Sequence, residues 1–186
     1  MLEGNRELLT IWKNNRKNAL YRLLNDSFYL TLEQSLSDLG WFDPNRRHRP
    51  VTLLPEPVED DVHVEPNLVT VSVDEISPKY VELGSTFAEH RVRAYVDIYG
   101  ESKALALSLM GDIKDIVDGR IVSIGREFPT FSVLDLRAAT PSELFVCGIE
   151  NVSASRERFY SKPFEKYWWF VECDLVFAYH SDALPI

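Results

Sequence analysis

Residues 167–179, YWWFVECDLVFAY, constrain the fold more than any other segment. Successive side chains of a strand point to opposite faces. Tyr167, Trp169, Val171, Cys173, Leu175, Phe177 and Tyr179 therefore share one side of an extended chain. Trp168, Phe170, Glu172, Asp174, Val176 and Ala178 share the other. At roughly 3.3 Å per residue such a strand reaches about 40 Å. That exceeds the usual strand length, so the segment is expected to cross its sheet and project beyond it. Alternation sends Trp168 and Trp169 to opposite faces. Both are buried if the sheet is covered on each side; otherwise one of them is available as an interface anchor, a role in which Trp is enriched.

A second alternating run, 91–99 (RVRAYVDIY), sets Val92, Ala94, Val96 and Ile98 against Arg91, Arg93, Tyr95, Asp97 and Tyr99. One apolar and one polar face imply an antiparallel sheet open on one side to water or to a partner. Residues 68–76 alternate in the same way through Val69, Val71 and Val73, and 79–83 are expected to pair with them after a Ser77-Pro78 turn. Segments 133–137 and 144–152 also read as strands.

Helical spacing of Leu8, Leu9, Trp12, Ala19, Leu20, Leu23 and Leu24 predicts a helix over 6–24 that ends at Asn25-Asp26. A second helix is expected from Thr31, where Thr31-Leu32-Glu33-Gln34 fits a capping box, with Gly40 as its left-handed stop. A third is predicted over 101–118, its stripe formed by Leu105, Leu109, Ile113, Ile116 and Val117, with Gly119 as C-cap. The expected fold class is α+β: an antiparallel sheet of about four to six strands, packed on one face by helices. With 186 residues, one domain is the natural reading, divided into a helical 1–40, a loop over 41–67 and a sheet region over 68–180.

Pro44, Pro50, Pro55, Pro57 and Pro66 punctuate that loop, which reads as extended with room for a short strand. It carries a basic run, Arg46-Arg47-His48-Arg49, and then an acidic one, Glu56, Glu59, Asp60, Asp61 and Glu65. The net charge of −9 is concentrated in residues 51–90, which overlap the end of this loop and hold 1 basic and 9 acidic side chains. An acidic domain is a poor general nucleic-acid binder, because phosphate neutralisation dominates that affinity. The three arginines therefore suit a protein partner better, and no sequence-specific nucleic-acid binding is expected.

Catalytic constellations are hard to find. The glycines stand singly, with neither a P-loop nor a dinucleotide-binding pattern. Ser123-Ile124-Gly125 lacks the preceding glycine of a nucleophile elbow. His48, His63, His90 and His180 lie far apart. Residues 59–65 bring carboxylates together with His63, but without the glycine and regular spacing of a calcium loop. They read as a solvated acidic loop. Cys147 and Cys173 lie in apolar alternating stretches and read as buried free thiols. No cofactor, metal or catalytic residue is assigned, and no enzymatic activity is expected. With no signal-like N-terminus and no apolar run of about 18 residues, the chain is expected to fold in a cytoplasm without membrane partners.

The order of elements from Val69 onward resembles that of tailed-phage tail-terminator proteins. The resemblance rests on the strand RVRAYVDIYG, the Gly100-Glu101-Ser102 junction, the helix ESKALALSLMGDIKDIVDG and the closing strand, with Trp169, Val171 and Tyr179 at its patterned positions. It covers residues 68–180 and implies a structural virion protein, a subunit of a homo-oligomeric ring, commonly a hexamer. Such a ring caps the tail tube and joins it to the head-completion or connector protein at the neck of the virion, after assembly in the host cytoplasm. Closure needs two different patches that meet between neighbours. Candidate interface residues are Arg46, Arg47, Arg49, Glu59, Asp60, Asp61, Trp168 and Trp169. The alternatives are another neck component (a head-closure or tail-completion protein), a metal-dependent enzyme using residues 59–65, or a small-ligand-binding domain lined by the aromatic strand.

Overall fold

In chain order the elements are α1 (Glu3–Asp38), β1 (Thr52–Leu54), β2 (Leu68–Val73), β3 (Ser77–Tyr80), β4 (Phe87–Gly100), α2 (Lys103–Val117), β5 (Thr130–Asp135), β6 (Ser142–Ala154), β7 (Phe159–Ser161) and β8 (Lys166–His180). The computed structural model describes residues 3–45, 50–57, 67–74, 77–80, 87–119, 130–136, 140–154, 159–161 and 165–180.

The two runs with the cleanest alternation, β4 and β8, lie side by side at the centre, antiparallel from Phe87↔His180 to Gly100↔Tyr167. Each outruns its other neighbours and takes two of them end to end: β2 then β3 along β4, and β6 then β7 along β8. The sheet path is β1-β2-β4-β8-β6-β5. In-register partners share a face, so a single inner face runs through Val71, Val96 and Val171, and likewise through Ile149, Leu175 and Val92. These residues, with Phe131, Val133 and Cys147 at the far end, are buried in one cluster with both helices.

α1 contributes Leu20, Leu24, Phe28, Leu32 and Leu36 to that cluster, one residue every fourth position, which keeps them on one stripe. The helix touches both β2 and β5, near opposite ends of the sheet path, and the sheet curls around it. α2 lies over β4, β6 and β8.

The α+β class, the sheet of about six strands on its main path and the helices packed on it agree with the expectation. One edge pair, β1 with β2, is parallel, so the sheet is mixed. β1 is the short strand for which the proline-rich loop left room.

Three local expectations are overturned. First, α1 is one helix and does not stop at Asn25-Asp26. Asn25 and Ser27 are buried and spend their polarity on the sheet edges: Asn25 Nδ2 donates to Pro55 O at 2.6 Å, and Ser27 Oγ accepts from Leu134 N at 3.0 Å. Second, Thr31 caps nothing. It sits mid-helix, its Oγ1 donating back to Ser27 O at 2.9 Å. Third, Ser77-Pro78 is no turn but the start of β3, and β3 pairs with β4 and not with β2; it continues β2 along β4 where β2 has ended at Val73↔Ala94.

The stops at the glycines hold. Gly40 (φ 74°) and Gly119 (φ 70°) take the left-handed conformation after α1 and α2. Trp41 N donates to Leu36 O at 2.9 Å, and its indole reaches Asp112 Oδ2 at 2.8 Å, tying the exit of α1 to α2. Asn67, fully buried, accepts Thr52 N on its carbonyl and Glu101 N on its side chain, joining β1 to the entry of α2. There Ser102 Oγ caps Leu105 N at 3.3 Å.

Candidate interaction surfaces

Of the sequence-predicted interface residues, Arg46, Arg47, Arg49, Glu59, Asp60 and Asp61 lie outside the described residues. Trp168 and Trp169 divide as alternation requires. Trp169 pairs with Ile98 on the inner face and is 5 % exposed. Trp168 pairs with Tyr99 on the outer face and is half-buried.

The outer face has two halves of different chemistry. Towards the start of β4 lies an ionic ladder. Arg91 reaches Glu150 at 2.8 Å and Asp174 at 3.2 Å, while Arg93 reaches Asp174 at 3.5 Å and Glu172 at 3.9 Å. Asn151 Nδ2 also donates to Asp174 at 2.8 Å, and Ser153 Oγ to Glu172 at 2.9 Å. Asn151 adopts φ 52° at a β-bulge in β6, a left-handed conformation that Asn tolerates better than most residues. Burial alone would raise the carboxyl pKa of Asp174; the Asn151 hydrogen bond and the charges of Arg93 and Arg91 outweigh it and hold the value below normal. Both arginines are about half exposed, so each pair in isolation contributes less than about 1 kcal/mol. Their convergence on the nearly buried Asp174, which Asn151 also reaches, ties β4 and β8 to β6 on this face.

Towards the end of β4 the same face turns aromatic. Tyr99 and Trp168 stack at 6.1 Å between ring centres with 9° between planes, and Phe170 lies 6.4 Å from Trp168, tilted by 46°. Asp97, in register with Phe170, sits among them. Its Oδ1 accepts Trp168 Nε1–H at 2.9 Å. Burial pushes its carboxyl pKa up, partly offset by that bond. Sequence reading put Asp97 on this face with Tyr99 but gave it no role. The cue that would have singled it out is a lone carboxylate among the rings of two neighbouring strands.

A third feature is a groove of about 510 Å³ between α2 and the end of β6, lined by Leu107, Met110, Lys114, Val152, Ala154 and Trp169 among others. Leu107 is 44 % exposed. Lys114 is held by Asp118 at 2.5 Å. Among the described residues the buried Trp169 Nε1–H finds no acceptor.

Among the described residues, both cysteines and His90 are buried. Cys147 and Cys173 are buried free thiols, as expected. Burial pushes Cys173 up to about 12 and Cys147 up as well, so neither is a thiolate at neutral pH. His90 is buried and stacked on Phe177 at 5.1 Å, and burial lowers its pKa. Among the described residues no three His, Cys, Asp or Glu side chains converge as a metal site, and no helix is long and apolar enough to cross a membrane.

Among the described residues three surface features stand out: a salt-bridged surface, an aromatic surface around one carboxylate, and an apolar groove. No family model matches the chain, and no curated protein matches it.

Proposed function

We propose that this chain is a structural subunit of a tailed-phage neck, a tail terminator that assembles as a ring, caps the tail tube and joins it to the head-completion protein. The observation that carries the reading is the β4–Gly100–α2 junction followed by the long pairing of β4 with β8. A Cβ on Gly100 would stand 2.7 Å from Ala106 Cβ, so the first turn of α2 is pressed onto the strand end where the resembling proteins carry the same strand–glycine–helix unit. The extended outer face and the apolar groove supply two unlike patches, and a closed ring needs two unlike patches on each subunit.

Native mass spectrometry with light scattering tests this. The expected result is a closed ring, a hexamer being the commonest form, visible in negative-stain images. A chain that stays monomeric at high concentration, and still does so when mixed with tail-tube protein, refutes the reading.

A further inference from the structure

We infer that the aromatic end of the outer sheet face is a binding site for a cationic side chain, an arginine presented by a basic segment of another protein. Asp97 is the centre of the site. Its carboxylate lies half-buried among Tyr99, Trp168 and Phe170, and the hydrogen bond it receives comes from the Trp168 indole. Among the described residues no cation lies within ion-pair distance of it. The arginines of the same face are engaged elsewhere, Arg91 with Glu150 and Asp174, and Arg93 with Asp174 and Glu172. A partly desolvated carboxylate is stabilised by an opposite charge, and this one has acceptor capacity beyond the single indole bond.

The surroundings select the kind of cation. Aromatic faces attract positive charge through their quadrupoles, most strongly for Trp. A guanidinium is flat, weakly hydrated and able to stack on a ring while its N–H groups reach a carboxylate; an ammonium is a strongly hydrated point charge. Stacked and tilted rings around one acceptor suit the former. Asp97 takes part in no ion pair among the described residues, so a cation bound to it displaces none of its own. Nothing in this inference depends on the ring proposal, and its failure would leave that proposal standing.

The test uses the full ¹⁵N-labelled chain and the peptide acetyl-Gly-Arg-Gly-amide, whose only charge is the guanidinium. Trp168→Phe assigns the Trp168 indole resonance. That resonance is expected to shift saturably at millimolar peptide. The neutral citrulline peptide should leave it in place, and the lysine peptide should bind at least several-fold more weakly. Asp97→Asn keeps an oxygen for the indole N–H and removes the charge; it should weaken binding at least tenfold. Phe170→Leu, which leaves Asp97 and Trp168 intact, should weaken it a few-fold. No saturable shift, equal shifts with citrulline, or full binding by folded Asp97→Asn would overturn the site. Equal or tighter lysine binding would overturn the assignment to arginine.

Discussion

Ser27→Ala isolates the contact by which α1 holds the far edge of the sheet. The hydroxyl is 1 % exposed as part of its residue and accepts the Leu134 amide of edge strand β5 at 3.0 Å. Alanine removes the acceptor and leaves a part-buried N–H without this partner, which costs about 1–3 kcal/mol. Alanine also favours helix over serine by about 0.5 kcal/mol. The net loss is then about 1–2 kcal/mol, or a fall in Tm of about 2–8 °C for a domain of this size. Calorimetry reads the total, and hydrogen exchange locates it, because protection should fall first at the Leu134 amide. Thr31→Ala is the matched control. It deletes a hydroxyl that only doubles a helical carbonyl bond to Ser27, so stability should hold or rise slightly. A Ser27→Ala chain that melts within about 1 °C of the parent, with Leu134 exchange unchanged, would refute the clamp.

Two further outcomes follow from the same geometry. Gly100→Ala drives a Cβ to 2.7 Å from Ala106 Cβ and 2.9 Å from Ala106 N, so overpacking should destabilise by about 1–3 kcal/mol, whereas Gly111→Ala meets nothing within 4 Å and should stabilise α2 by about 0.5–1 kcal/mol; denaturant midpoints that move in the same direction for both would be contrary. His90 takes up its proton near 6.5 when unfolded but only at lower pH when folded, so its contribution is intact above about 6.5 and is lost as pH falls through that value towards the folded pKa. Urea midpoints between pH 7.5 and 5 should show the loss, and His90→Phe should flatten it.

The residues that were legible are those for which one physical rule decides. β4, β8 and α2 each put one apolar face against the core, and period alone identifies them through Val92, Val96 and Ile98, through Val171 and Leu175, and through Leu109 and Ile113. Asn25 and Asp26 misled because polar side chains within a helix ordinarily prefer turns and caps, and only the tertiary structure shows the sheet-edge partners of Asn25 and the neighbouring Ser27. β3 misled because a turn after β2 suggests a hairpin, while the unpaired length of β4 offered a longer partner.

The outer face marks the limit more sharply. Alternation says which residues of β4 and β8 face outward, but sites depend on which of them meet. Slipping β8 by two residues one way would set Asp97 against Glu172 and leave Arg93 opposite Val176; like charges opposed and a salt bridge lost make that register poor. Slipping it two residues the other way would put Arg93 opposite Glu172 and Arg91 opposite Asp174, which is electrostatically as good as the observed Arg93↔Asp174 pairing. Charge pattern therefore narrows the register to two. What separates them is the interior, where Ile98 meets Trp169 and Ala94 meets Cys173 beneath α2. The Asp97 site exists only in the register that this packing selects, with Phe170 facing the carboxylate and Trp168 beside it. An outer surface chosen by inner packing is out of reach of any reading that takes one face at a time.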